Sequence, residues 1–543
     1  MSFDLIPEPQ SVTLNGEAAD SDDAGAPVPV ALPLVGRISE DRDIDDIAGV
    51  FPTQLADDIE AATGLRWDIA SDVMVAGLPA PNAATAHPVP PHASCWKSFI
   101  TLRLDPSSLE PQEYRLTIAR SGIDVVGGDT EGVRNGVQTL RQIIRQCAPA
   151  LPRLVIADKP AYKVRGYYLD ATRGRVPTLD WLKTWADRLC LYKYNQLQLY
   201  IEHTFMFDDL SETWRGTSPL KPADIIAFDE YCARLGIELV PSVSTFGHQY
   251  MAMRTRELRH LGEFPEDADR QYGFVERQRH HTLNITEPES LAFSFKLIDA
   301  YMQLFRTRKF NICGDETFDL GRGRSKPEAE RRGVAAMYAD FVSQLCRHLS
   351  ERGREPMFWG DIAVEMPQIL GLLPDNVTLL NWLYAPGIDE DKVRLVAQAG
   401  APQYVCSAVW CWNALLPRLD DSWNNISRLA RYGVKYGAVG YLVTDWGDYG
   451  HVNDPRMAVS GMIFGAQCAW NPMAHIQGEA GCGDGEEGSA AGYADAAADV
   501  VRENKAAADG DSPAPLPSSS ESDDYTCLLY TTPSPRDKRQ SRM

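Results

Sequence analysis

The sequence predicts an α/β protein, a (β/α)₈ barrel preceded by a small α+β domain, and three observations carry that expectation. Eight short apolar runs between residues 164 and 445 alternate with amphipathic stretches, the pattern of repeated β/α units around a parallel sheet. The residues before 160 lack that alternation and set β-like runs around a single helix. After about residue 472 the chain turns to Gly, Ala, Ser, Asp and Glu, with too few large apolar side chains to repay ordering.

Taken in chain order, residues 1–160 contain two strand-like segments, 113–118 and 122–126, and then a helix over 132–146. The helix is predicted because Val137, Leu140 and Ile144 recur at helical spacing and make one apolar face for the two strands. Lys159-Pro160 ends the pattern. The eight barrel strands are expected at 164–170, 197–202, 238–244, 310–313, 356–359, 377–382, 404–407 and 439–445. Between the first two, Leu182, Trp185, Ala186 and Leu189 fall on one helical face while Lys183, Asp187 and Arg188 point away. The barrel domain therefore spans 161–475. Its segment 251–281 is too long for an ordinary connection and predicts a functional loop over the barrel mouth. Residues 476–543 are expected to form a disordered acidic tail, and its last stretch, 527–543, reads as translated sequencing adapter.

Charge and composition narrow the function. With 75 acidic against 53 basic residues and a net charge of −22, a polyanion such as nucleic acid is excluded as the main partner. The first residues carry neither a basic n-region nor a continuous apolar run, which predicts no membrane partner and a cytoplasmic location. Eleven cysteines without framework spacing fit reduced thiols, and no metal-ligand pattern is present, so neither metal nor cofactor is expected.

A barrel of this kind places its chemistry at the C-terminal ends of its strands. The first run ends in Asp170 and Arg173, the second in Glu202 and His203, and the third leads to Gly247 and His248. The fourth delivers Gly314, Asp315 and Glu316. Trp359, Trp382 and Trp446 end the fifth, sixth and eighth, with Asp448 just beyond. An adjacent Asp-Glu pair is ordinary on a surface, but after the buried-type run 310–313 and a flexible glycine it sits where a strand leaves the barrel. Carboxylates, an arginine and indoles converging on one face describe a sugar pocket: the rings pack on the apolar CH face and the charged groups bind hydroxyls.

The segments Arg165-Gly-Tyr-Tyr-Leu-Asp170 with Arg173, Asn195-Gln-Leu, Phe246-Gly-His248, Gly314-Asp-Glu316 and Asp445-Trp-Gly-Asp448 resemble glycoside hydrolase family 20 in order and spacing. The run Leu199-Tyr-Ile-Glu-His-Thr-Phe205 is similar to a bacterial subgroup of that family. The resemblance implies an exo-β-N-acetylhexosaminidase that removes terminal β-linked GlcNAc or GalNAc with retention, the substrate's own acetamido oxygen being the nucleophile, an exception to two-carboxylate schemes. It implies Glu316 as general acid and base, Asp315 as acceptor of the acetamido N–H, and His248 as the residue that orients the pair. It further implies Arg173, Glu202, Asn413 and Asp448 as polar sugar contacts and Trp359, Trp382, Trp410 and Trp446 as the walls, with Glu202 expected to partner His248.

One departure is plain. In Ser407-Ala-Val-Trp-Cys-Trp-Asn413, Cys411 stands where the family pattern carries a tyrosine that donates to the acetamido oxygen. A thiol is a weak donor, so Tyr200 or Tyr384 is expected to supply that hydroxyl. Two other readings stay open: a non-catalytic sugar-binding barrel, and a retaining glycosidase with two separated carboxylates, Glu202 or Asp448 acting as nucleophile.

Overall fold

The computed structural model describes residues 3–14, 28–70 and 98–474. The expected tail, 476–543, lies outside them.

Eight parallel strands close into a barrel: Arg165–Asp170, Gln196–Ile201, Glu238–Val243, Lys309–Asn311, Glu355–Trp359, Thr378–Trp382, Gln403–Ala408 and Gly440–Asp445. The first pairs with the last, Gly166 lying opposite Leu442, which seals the ring. Every residue of Arg165–Asp170, Gln196–Ile201 and Gly440–Asp445 is buried. One face meets the outer helices and the other fills the barrel, so neither faces water and even the polar members Gln196, Gln198 and Thr444 are buried. Tyr167 and Leu169 face the helices, while Tyr168 joins Val240, Met357 and Leu442 in a separate inner cluster.

The small domain is built on a seven-stranded mixed sheet, in spatial order Ser11–Leu14, Leu154–Asp158, Tyr114–Ala119, Gly122–Gly127, Ile100–Leu104, Arg37–Glu40 and Asp68–Ala70. Helix Thr130–Cys147 starts where Asp129 accepts a bond from the Gly132 amide at 2.7 Å. Its predicted apolar face, Val137, Leu140 and Ile144, is fully buried in the small domain's core. Its polar face is buried as well, which periodicity did not show. Arg134 donates to Leu235 O at 3.1 Å and Gly236 O at 2.6 Å on the barrel, and Arg141 binds Asp58 at 2.8 Å on the neighbouring helix. A polar face enters a core when every donor finds an acceptor there, and this helix lies against barrel as well as sheet.

The segment 251–281 is folded into short pieces, including Arg259–Leu261, Pro265–Asp267 and Glu276–Arg279. It ties two strand-end loops together across the mouth: Gln278 Nε2 donates to Asp448 O at 3.1 Å, and the His281 amide donates to Asp319 at 2.9 Å. The eight cysteines among the described residues are free, and none of the helices described is long and apolar enough to cross a membrane.

Candidate active site

The first strand sets the pocket floor. Asp170 is buried and committed to backbone, accepting from the amides of Thr172 at 2.9 Å, Arg173 at 3.0 Å and Gly447 at 3.0 Å. It thereby turns the loop so that Arg173 points into the barrel mouth. There Arg173 Nη1 meets Asp448 at 2.8 Å and Nε meets Glu202 at 3.2 Å, with its guanidinium 5.1 Å from the Trp446 ring centre. Glu202 also accepts from Tyr200 OH at 3.0 Å. Burial opposes ionisation of Glu202, but His203 and Arg173 prevail and hold its carboxyl below the usual range. Glu202 makes no hydrogen bond to His248 among the described residues; the Arg173 guanidinium, with its full positive charge, takes the carboxylate instead.

The fourth strand delivers the acidic pair on strained backbone. Cys313, Gly314 and Glu316 have φ of 61°, 81° and 48°, and His248, which faces them, has φ 52°. Tyr338 OH donates to Gly314 O at 2.8 Å and the Glu316 amide donates to Asp361 Oδ2 at 3.2 Å, which holds the turn in place. His248 Nε2 lies 3.4 Å from Glu316 Oε2 and 3.6 Å from Asp315 Oδ2. Burial pushes the Glu316 carboxyl up to about 7, with the Asp315 and Asp448 charges adding to it and His248 opposing. Burial also works against charging His248, yet Asp315 raises it above its ordinary value.

Aromatic rings line the rest. Trp359 is fully buried and meets Tyr168 edge-on at 4.9 Å and Trp446 at 5.5 Å. Trp382 stacks on Tyr384 at 5.1 Å, and Trp410 stacks on Trp412 at 4.9 Å. Trp410 Nε1 donates to Tyr384 O at 2.9 Å, joining the two stacks. Tyr384 OH accepts from Trp446 Nε1 at 2.7 Å and lies 3.1 Å from Thr444 Oγ1, whose own proton goes to Ser407 O at 2.9 Å. Cys411 is buried with Sγ turned to Val409 O at 3.6 Å, while Asn413 is exposed and makes no hydrogen bond to a described residue.

Thus Arg173, Glu202, His248, Asp315, Glu316, Trp359, Trp446 and Asp448 are brought together, Trp382 and Trp410 continue the wall through Tyr384, and Asn413 stands apart. Two residues escaped the sequence reading. Trp412 was passed over for its neighbours, although it packs on Tyr384 at 5.4 Å. Asp361 had a signal: Trp359-Gly-Asp361 repeats the Trp446-Gly-Asp448 tripeptide at the end of another strand.

Comparison with known proteins decides the family. The model for the glycosyl hydrolase family 20 catalytic domain matches residues 162–412, and that for domain 2 of the same family matches residues 46–159. The chain belongs to glycosyl hydrolase family 20. A β-hexosaminidase of Akkermansia muciniphila is 30% identical over 341 residues, 56% of this chain and 65% of that protein. A lacto-N-biosidase of Bifidobacterium bifidum is 26% identical over 280 residues, 48% of this chain and 24% of that protein. The match thus spans less than two thirds of either relative. Among solved structures, a β-N-acetylhexosaminidase from Bacteroides fragilis superposes with a TM-score of 0.64 at 17% identity, covering 93% of this chain and 95% of that one. At that identity the likeness concerns the fold: a family 20 barrel behind a small domain.

Proposed function

We propose that this family 20 glycoside hydrolase is an exo-β-N-acetylhexosaminidase working by retaining, substrate-assisted hydrolysis. The observation that carries the reading is the placement of His248 Nε2 3.4 Å from Glu316 and 3.6 Å from Asp315, at the same end of the barrel as Arg173, which bridges Glu202 and Asp448. Arg173 Nη2, which has only Tyr200 OH at 3.5 Å, is the nitrogen left for a sugar hydroxyl.

In the first step the acetamido oxygen attacks the anomeric carbon as the glycosidic C–O bond breaks, and Glu316 gives its proton to the departing oxygen. Asp315 accepts the acetamido N–H, aligning that group and countering the positive charge that develops on it. In the second step Glu316 takes a proton from water as the water oxygen bonds to the same carbon, the bond from that carbon to the acetamido oxygen breaks, and configuration is retained. His248 is a positioning residue between the two carboxylates. Tyr384 supplies the hydroxyl that Cys411 does not, and Trp359 and Trp446 wall the ring.

The test is release of 4-nitrophenol from the β-GlcNAc, β-GalNAc and β-glucose conjugates. The expected result is activity on the N-acetyl sugars alone, lowered about 10²–10⁴-fold by Glu316→Gln and by Asp315→Asn. Equal activity on the glucoside would instead establish the two-carboxylate mechanism. No activity from the folded chain would leave a sugar-binding barrel.

A further inference from the structure

The acid end of the pocket holds a donor set that sugar chemistry does not use up. His248 is 4% exposed, and neither of its ring nitrogens has a hydrogen-bond partner. A buried imidazole without a partner is costly, and here its Nε2 is aimed between two carboxylates, 3.4 Å from one oxygen and 3.6 Å from the other. One ligand atom from each of His248, Asp315 and Glu316 lies within 4.8 Å of the others. Around a tetrahedral zinc ion with bonds of about 2.0–2.1 Å, neighbouring ligand atoms stand about 3.3 Å apart. The two measured separations from Nε2 are within a few tenths of that value, so small side-chain rotations suffice to close a shell.

Charge points the same way. Asp361 is fixed beside the pair through the Glu316 amide, and its Oδ1 is buried without a partner. Arg173, the nearest guanidinium, is already spent on Glu202 and Asp448. Asp315 and Glu316 therefore face the imidazole, with Asp361 behind the turn that carries them. A mixed nitrogen and oxygen set of low coordination number favours a first-row transition ion, whereas magnesium and calcium call for six or more oxygens. We propose that His248, Asp315 and Glu316 form an inhibitory site for a divalent transition-metal ion, for which Zn²⁺ is the probe, and that the ion excludes the sugar by occupying its acid and its acetamido acceptor. The ion has no part in the reaction; it competes with it. The inhibitory half of this inference rests on the activity proposed above, but the binding half does not.

The experiment is isothermal titration of the full chain with zinc chloride, with magnesium chloride as control, alongside thermal melts that verify the fold of each variant. The expected result is one saturable zinc ion per wild-type chain and no magnesium binding. His248→Ala and Glu316→Gln each weaken zinc binding by about tenfold or more, since loss of even an outer partner costs a metal site that much. His280→Ala, removing another histidine paired with a carboxylate, Asp319 at 3.2 Å, leaves binding unchanged. In the 4-nitrophenyl assay zinc then raises KM without lowering kcat. Absence of saturable binding at millimolar zinc overturns the proposal, as does binding that His280→Ala abolishes and His248→Ala spares. Zinc binding with the expected variant pattern in a chain that hydrolyses no substrate keeps the metal site and removes the activity reading.

Discussion

Under the proposed mechanism Tyr384 takes the part that the family pattern assigns to residue 411. The thiol is buried and faces the carbonyl of Val409, two residues back, while the Tyr384 hydroxyl, beyond the sixth strand, is held by Trp446 Nε1 and Thr444 Oγ1. To donate to an acetamido oxygen the phenol exchanges Thr444 for it as acceptor, and the bond then orients that oxygen for attack. Tyr384→Phe is expected to lower kcat/KM on 4-nitrophenyl β-GlcNAc by about 3–10-fold, the worth of one hydrogen bond between neutral groups. Cys411→Ser stays within about threefold, because a hydroxyl keeps the bond to Val409 O. The reverse ranking in steady-state kinetics would return the role to residue 411.

At the scale of elements, the pocket is made by loops crossing at the barrel mouth rather than by strands alone. Gly174, with φ +75°, follows Arg173 and passes so close to the last strand's loop that a Cβ there would stand 2.1 Å from Gly450 O. Both the left-handed backbone and the contact exclude a side chain. Gly174→Ala is expected to cost about 1–3 kcal/mol of stability. Arg173 moves with its loop, so kcat/KM falls by about 10–100-fold while circular dichroism stays native. Unchanged kinetics would mean that the Asp170 bonds alone position the arginine. The eight strands were legible because doubly buried strands leave short runs rich in large apolar residues. The close approach of Gly174 to Gly450 joins positions far apart in the chain and leaves no periodic trace.

For the molecule as a whole, the small domain is fastened to the barrel by buried polar groups. Arg134 spans the boundary to Leu235 O and Gly236 O, and Arg165, at the base of the first strand, binds Glu131 at 2.8 Å. Trp470, at the end of the last helix, donates to Asp158 at 2.9 Å and packs into the small domain's core. Such a boundary predicts one cooperative unfolding transition. Arg134→Met, which removes the donor from Gly236 O and leaves Leu235 O only the weak Cys190 thiol, is expected to lower stability by about 1–3 kcal/mol in urea titrations while calorimetry still shows a single peak. Two separated peaks in the wild type would show that the boundary contributes little.

The sequence by itself determined the (β/α)₈ plan, the helix of the small domain and the strand-end addresses of Asp315, Glu316, Arg173 and Asp448. Burial on one or both faces writes its period directly into the order of side chains, and a barrel puts its chemistry at one end of every strand. Only the tertiary structure decided who pairs with whom: Glu202 with Arg173 instead of His248, Tyr384 with Trp446, Asp361 behind the acidic turn, and a helix whose polar face is buried. Those choices depend on ångström separations between residues from different strands, and the energy of a charge or hydrogen bond changes steeply over such distances, whereas the pattern along one strand does not record them.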